Sequence, residues 1–276
     1  MIRLIFCDMD GTLLDADGNL PPMFEDVMAR VLARGAVFCP ASGRQYSALL
    51  RQMGTHINDF LFVAENGTFV ARHDQELFSS EMAATDIRRV LEAGRSIPGA
   101  YPVLCGKRLA YVEPLWEPYL ENMRQYFTQC RIVEDLDTVA AEEEIIKLAF
   151  CDAEHGEAGT RLFPALDKLN GPVQVVLSSN YWIDVMNPGV NKGAAVRRLQ
   201  AMLGVRPEEC AAFGDYLNDA EMIRAVGYGY AMGNALPALK EIAPYEAPPN
   251  TEYGVMRVLE DLLAKGLIGN EGGSIA

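Results

Sequence analysis

Short apolar runs that stop abruptly at small or polar residues recur along this chain, with helical stripes between them. "IRLIF" runs into "CDMDGTLLD", "AVFCPASGR" ends in small residues, and "DFLFVAENG" ends in a turn. Phe24, Val27, Met28, Val31 and Leu32 recur at helical spacing between the first two runs, with Gly35 as the stop. Tyr46, Leu49, Leu50 and Met53 do the same between the second and third. A run that is apolar throughout is a strand buried on both faces, and strand, helix, strand, helix, strand predicts a parallel, doubly wound sheet.

The alternation returns near the C-terminus. Val196, Leu199, Met202 and Leu203 mark a helix closed by Gly204, "ECAAFGD" a strand, Met222, Ile223 and Val226 a helix, "GYGYAMG" a short strand, and Val255, Val258, Leu259 and Leu262 a last helix. From about Met82 to Asn187 the texture differs. "YPVLC", "RLAYVE", "IIKLAFC", "VQVVLSS" and "YWIDVM" read as closely spaced strands of an antiparallel or mixed sheet, with helical stretches at Tyr119 to Phe127 and Gly156 to Leu169. The predicted fold is therefore α/β: a doubly wound, mostly parallel, Rossmann-like core sheet from residues 1–82 plus 187–276, with an inserted α+β domain at 83–186. The tail "GNEGGSIA" reads as frayed.

Half of the 276 residues are hydrophobic, which excludes a disordered chain. A formal net charge of −14 repels nucleic acid and anionic lipid, so neither is an expected partner, and any phosphate needs a locally positive pocket. The opening apolar stretch is too short for a signal peptide and no stretch reaches the length of a membrane span, so the expected location is cytoplasmic. Cys7, Cys39, Cys105, Cys130, Cys151 and Cys210 lack metal-site spacing and read as reduced core residues.

Four strand exits or loops carry polar residues: Asp8 and Asp10; Ser42, Gly43 and Arg44; Asn191, Lys192 and Gly193; and Gly214 through Asp219. In an open α/β sheet the ligand site lies outside the carboxyl ends of the strands, where these residues fall. Carboxylates are costly to desolvate without a partner or metal. Mg²⁺ binds through one or two carboxylates together with water and phosphate oxygens, and Asp8, Asp215 and Asp219 suit it. Lys192, the Ser42 hydroxyl and the Gly43 amide suit a phosphoryl group. Asp8 is the candidate nucleophile for an aspartyl phosphate. Asp10 is the candidate general acid and base, and Gly11 and Thr12 let the backbone turn closely around the transferring group.

These segments resemble the haloacid dehalogenase superfamily, and within it the Cof-like phosphatases of subfamily IIB. "DMDGTLL" is similar to the family's DxDGT signature, "ASGR" to its second motif, "GVNKG" to its third and "GDYLND" to its fourth. The resemblance implies that Asp8 is the nucleophile and Asp10 the acid/base, that Ser42, Gly43 and Lys192 hold phosphate, and that Asn218 contacts phosphate or the metal shell. It implies Mg²⁺ on the Asp8 carboxylate, the Asp10 backbone carbonyl and Asp215, with Asp219 ligating directly or through water. "ENGT" at Glu65 to Thr68 resembles the family's third-strand exit, with Thr68 where Ala is common. The insert then resembles a cap that selects the leaving group, with Lys107, Arg108 and Trp116 as candidate substrate contacts.

Blander readings stand beside these. Lys107 and Arg108 also read as solvated hairpin charges and Trp116 as a core anchor. Asp15 and Asp17 read as turn acids, Ser42 as a helix cap, and Arg44 as a structural anchor or a contact to the cap. His56, His73 and His155 read as surface residues away from the motifs, "AEEEIIK" as a solvated face, and Met23, Met28, Met202 and Met222 as core filling. Lys192 begins a helix, where a cation opposes the dipole, so its position favours anion binding over stability. The expected activity is Mg²⁺-dependent hydrolysis of a small phosphorylated metabolite, a sugar phosphate or phosphorylated cofactor. Phosphomutase or phosphotransferase action on the same scaffold is the alternative, followed by dehalogenation. A non-catalytic phosphoaspartate regulator would need neither the cap nor Asp10.

Overall fold

In a computed structural model the chain is described at residues 1–72, 75–114, 120, 123, 127–169 and 171–269. His73, Trp116, most of the Tyr119 to Phe127 stretch and nearly all of the C-terminal tail lie outside the described residues. The strands are β1 (Leu4–Cys7), β2 (Val37–Pro40), β3 (Leu61–Ala64), β4 (Phe69–Arg72), β5 (Gln75–Ser79), β6 (Ala100–Gly106) and β7 (Ala110–Val112). They continue as β8 (Cys130–Ile132), β9 (Ile145–Asp152), β10 (Gln174–Leu177), β11 (Trp182–Met186), β12 (Cys210–Gly214), β13 (Tyr228–Met232) and β14 (Tyr245–Ala247). The chain divides into two compact units, one of residues 1–42, 53–77 and 191–276, the other of residues 43–52 and 78–190.

The first unit is built on a five-stranded parallel sheet in the order β14-β13-β12-β1-β2. β1, β2 and β12 are buried along their whole length, as a parallel sheet covered on both faces requires. The register Leu4↔Cys210 through Cys7↔Phe213 brings β1 and β12 to their carboxyl ends side by side. β3 continues the parallel direction through a single bridge, Ala41↔Val63, and otherwise forms an antiparallel hairpin with β4. Pro40 has no N–H to donate, so pairing towards β3 is taken up two residues later, where the Ser42 amide donates to the Val63 carbonyl at 2.9 Å.

Helix Phe24–Ala33 buries Phe24, Val27, Met28 and Val31, the stripe read from the sequence. Helix Lys192–Leu203 starts at Asn191, whose side chain accepts from the Ala194 amide, and ends at Gly204 with φ +61°. Asp15 is a turn acid, accepting from the amides of Asp17 and Asn19 at 2.9 Å. Two surface or core expectations are corrected here. His56 is buried, stacked on Phe60 with centroids 4.9 Å apart and bonded to Glu25 at 2.7 Å, because its ring fills an aromatic cluster with Phe24. Met202 is half exposed, on the solvent side of a helix whose inward face is Val196 and Leu199.

The second unit carries a six-stranded mixed sheet, β10-β11-β9-β6-β7-β8, antiparallel except for β7 beside β8. One face packs helices Ala84–Arg95 and Leu136–Glu142 over Leu104, Leu148, Phe150, Ile183 and Val185. The expected Gly156 to Leu169 helix is two short ones, Ala158–Arg161 and Phe163–Leu166, because Pro164 at the start of the second has no N–H to continue the first. The other face holds Val103, Cys105, Ala149 and Cys151. All six cysteines are free, five of them buried and Cys130 partly so. Lys107 is neither a solvated charge nor an open one, since it pairs with Glu81 at 2.6 Å and Glu144 at 3.1 Å. Glu142, Glu143 and Glu144 form the exposed face that the acidic run suggested. No described helix is long and apolar enough to cross a membrane.

Asp152 closes β9 from a fully buried position, accepting from the Glu157 amide at 2.9 Å, from His155 at 3.3 Å and from Arg161. Burial works against its charge, but the Glu157 amide and the Arg161 guanidinium outweigh it and hold its pKa below the usual carboxylate range. The stability it contributes is therefore complete above pH ~4 and is lost as pH falls through its lowered value. Asp152→Ala is expected to destabilise the second unit by about 3 kcal/mol at neutral pH, with the deficit shrinking in acid, as measured by denaturant titration.

Candidate active site

The parallel register sets the site. Asp8 follows β1 directly, and its amide donates to the Phe213 carbonyl of β12 at 3.0 Å, which ties the exit of one strand to that of the other. The chain then makes a wide turn closed by Leu13 N to Asp8 O (3.2 Å) and Leu14 N to Met9 O (2.9 Å). Gly11 allows it, with φ +74°, and a Cβ there would lie 2.9 Å from the Asp215 carboxyl carbon. Thr12 Oγ1 donates to Asp215 Oδ1 at 3.0 Å, so the first turn also orients the acid of the last motif.

Lys192 is the hub. Its Nζ donates to Asp8 Oδ1 at 2.5 Å and to Asp219 Oδ1 at 2.7 Å, and all three residues are buried. The other oxygen of Asp219 accepts from the amides of Asp215 and Tyr216 at 3.1 and 3.2 Å, closing the loop behind β12. Gly214 permits this fold-back, since a Cβ there would sit 2.5 Å from the Asp219 Cβ. One oxygen from each of Asp8, Asp215 and Asp219 lies within 4.8 Å of the others.

The electrostatics follow from this crowding. Burial, then the charge of Asp219, raises the Asp8 pKa well above the carboxylate range, against the pull of Lys192. Burial and Asp219 push Asp215 up to about 6, with Asp10 adding to the repulsion. Burial alone would lower the Lys192 pKa, but Asp219 and Asp8 outweigh it and hold it raised, so the ammonium keeps its proton. One ammonium against three carboxylates leaves two negative charges in excess when all are ionised. An all-oxygen set with that excess fits a divalent cation, which would favour the ionised acids.

Asp8, Lys192, Asp215 and Asp219 are thus brought together. Asp10 is exposed on the turn, within electrostatic reach of Asp215. Ser42 is buried at the exit of β2, its amide bonded to Val63 and its carbonyl accepting from the Asn66 amide at 3.0 Å. Gly43 follows in the second unit, where its carbonyl accepts from the buried Lys147 ammonium at 3.3 Å. Asn218 donates from Nδ2 to Asn66 Oδ1 at 3.3 Å. Asn234 escaped the motif reading: its Nδ2 donates to the Gly11 carbonyl at 2.8 Å and its Oδ1 accepts from the Asn250 amide at 3.0 Å. Its signal was available, a polar residue shortly past the apolar run "GYGYAM", at a strand exit like the acids behind β1 and β12.

A family model described as haloacid dehalogenase-like hydrolase matches residues 5–259. The chain is 31% identical over 265 residues to the 5-amino-6-(5-phospho-D-ribitylamino)uracil phosphatase YbjI of Escherichia coli, spanning 95% of this chain and 96% of that one. It is 30% identical over 258 residues to an HMP-PP phosphatase of Serratia proteamaculans, spanning 88% of each. A solved structure of a Streptococcus mutans protein matches with a TM-score of 0.87 at 26% identity, over 96% of this chain and 100% of that one.

Gly11→Ala places a methyl group against Asp215 and strains a left-handed position. The expected result is a loss of catalytic rate of about a hundredfold, with a melting temperature that falls only modestly. Steady-state kinetics and thermal melts on the same preparation check both.

Proposed function

This chain belongs to the haloacid dehalogenase-like hydrolases and is a phosphatase of that family, and on that premise we propose that it is a Mg²⁺-dependent phosphomonoesterase acting through an aspartyl phosphate on Asp8. The observation that carries the reading is the buried Asp8–Lys192–Asp219 chain with Asp215 beside it. A carboxylate bonded to a buried ammonium is held in place and desolvated, two conditions for attack on a phosphoryl group.

Asp8 attacks phosphorus through a carboxylate oxygen while the bond from phosphorus to the ester oxygen breaks. Asp10 gives its proton to that leaving oxygen. In the second half, Asp10 takes a proton from water, the water oxygen bonds to phosphorus, and the bond to Asp8 breaks to release inorganic phosphate and the free carboxylate. The Ser42 hydroxyl, the Gly43 amide, Lys192 and Asn218 bind the phosphoryl oxygens. The Asp8 carboxylate, the Asp10 carbonyl, Asp215 and Asp219 would hold Mg²⁺, which supplies charge neutralisation to the phosphoryl group as negative charge builds on it.

The substrate class is a small phosphorylated metabolite, a sugar phosphate or a phosphorylated cofactor, handled in the cytoplasm. The named activities of the Escherichia coli and Serratia relatives support that class. Water rather than a sugar hydroxyl is the acceptor, in keeping with relatives named phosphatases. No nucleic acid or membrane partner belongs to the reading.

The test is phosphate release from a panel of sugar phosphates, nucleotides and phosphorylated cofactors, with Mg²⁺ or with chelator. Release is expected to require Mg²⁺ and to vanish in Asp8→Asn. Asp10→Asn is expected to slow turnover by about 10²–10⁴-fold. Activity that survives chelation, or that persists in Asp8→Asn, would overturn the reading.

A further inference from the structure

Only three non-glycine residues among the described ones have positive φ, and two are consecutive: Glu65 at +50° and Asn66 at +57°, followed by Gly67 at +94°. Glu65, Asn66 and Gly67 are all buried. A side-chain-bearing residue avoids this region because its Cβ meets the backbone, so a pair of them persists only where surrounding contacts hold it. Those contacts are specific. The Asn66 amide donates to the Ser42 carbonyl at 3.0 Å, and Asn66 Oδ1 accepts from Asn218 Nδ2 at 3.3 Å. Gly67 passes so close to the residue before Lys192 that a Cβ on it would lie 2.6 Å from the Asn191 carbonyl oxygen. Thr68 braces the turn from within, its hydroxyl donating to the Glu65 carbonyl at 3.0 Å.

One turn therefore touches the segments that carry Ser42, Lys192 and Asn218, the first of them far along the chain from the other two. We propose that Asn66 is a positioning residue for phosphate binding: its backbone fixes Ser42, and its side-chain oxygen holds the Asn218 amide in the orientation that receives a phosphoryl oxygen. The inference rests on the phosphate roles given to Ser42 and Asn218 above. Asparagine suits both tasks. It tolerates the left-handed conformation better than any other residue with an uncharged amide acceptor, and, unlike aspartate, it adds no negative charge to a site already rich in it. Asn218 donates one of its two N–H groups to Asn66, which turns the second towards other acceptors.

The test is a double-mutant cycle between Asn66→Gly and Asn218→Ala in the full chain, with orthophosphate in the presence of Mg²⁺ as the probe. Glycine is at home at φ +57°, so the turn and the bond to Ser42 stay, while the Oδ1 acceptor is lost. Calorimetry is expected to give Asn66→Gly an orthophosphate affinity about three- to tenfold weaker, the equivalent of one neutral hydrogen bond, with a native-like melting temperature. In the Asn218→Ala background the same substitution is expected to cost nothing further. Full additivity of the two losses, or native affinity in Asn66→Gly, would overturn the positioning role. Native affinity in Asn218→Ala would instead overturn the phosphate assignment of Asn218, and with it this inference.

Discussion

A single buried ammonium sets the terms for the rest of this molecule. Lys192 lies between Asp8 and Asp219, with Asp215 close by, at the carboxyl edge of a parallel sheet. Two ionised carboxylates at about 5 Å repel by roughly 3 kcal/mol at an effective dielectric of 20, and three of them compound this. Lys192 offsets part of that cost. Its place at the first turn of helix Lys192–Leu203 does nothing for the helix, whose positive end it opposes; the helix is started instead by the Asn191 side chain. The lysine stabilises the acids rather than the element that carries it.

Backbone geometry then gives the acids their separation. Parallel pairing of β1 with β12 puts two strand exits on one edge, and the Asp8 amide bonded to Phe213 fixes their relative height. Gly11 and Gly214 let the two loops close to within side-chain contact of Asp215 and Asp219. Thr12, Asn234 and Asn250 brace the outer wall of the first loop, through bonds to Asp215, to the Gly11 carbonyl and to the Leu14 carbonyl. Rigidity of this kind lets charged groups wait in a fixed arrangement without reorganising when a substrate arrives.

The second unit has its own core and its own electrostatic compromise. Lys147 and Asp184 form a nearly dry ion pair at 3.3 Å, with Ser178 donating to Asp184 at 2.6 Å and the Gly43 carbonyl accepting from Lys147. A buried pair of this kind gives little net stability over apolar side chains of the same size, while losing one partner is costly. Lys107, suggested by sequence as a substrate contact, is taken up by Glu81 and Glu144.

By itself the sequence determined the fold class and pointed to the acids and the lysine that the structure brings together. Apolar runs buried on both faces and helical stripes between them dictate a parallel sheet, and such a sheet dictates which end carries Asp8, Lys192 and Asp215. Local patterns of that sort are legible because they depend on periodicity and on the chemistry of single residues. What only the tertiary structure decided are relations between distant segments. His56 is indistinguishable from a surface histidine until Phe24 and Phe60 close around it, and Asn234 and Asn66 are ordinary loop residues until their partners arrive from elsewhere in the chain. The sharing of Lys192 between two acids, and the pKa values that burial and the acids' mutual repulsion raise, come from through-space distance, which sequence spacing does not encode.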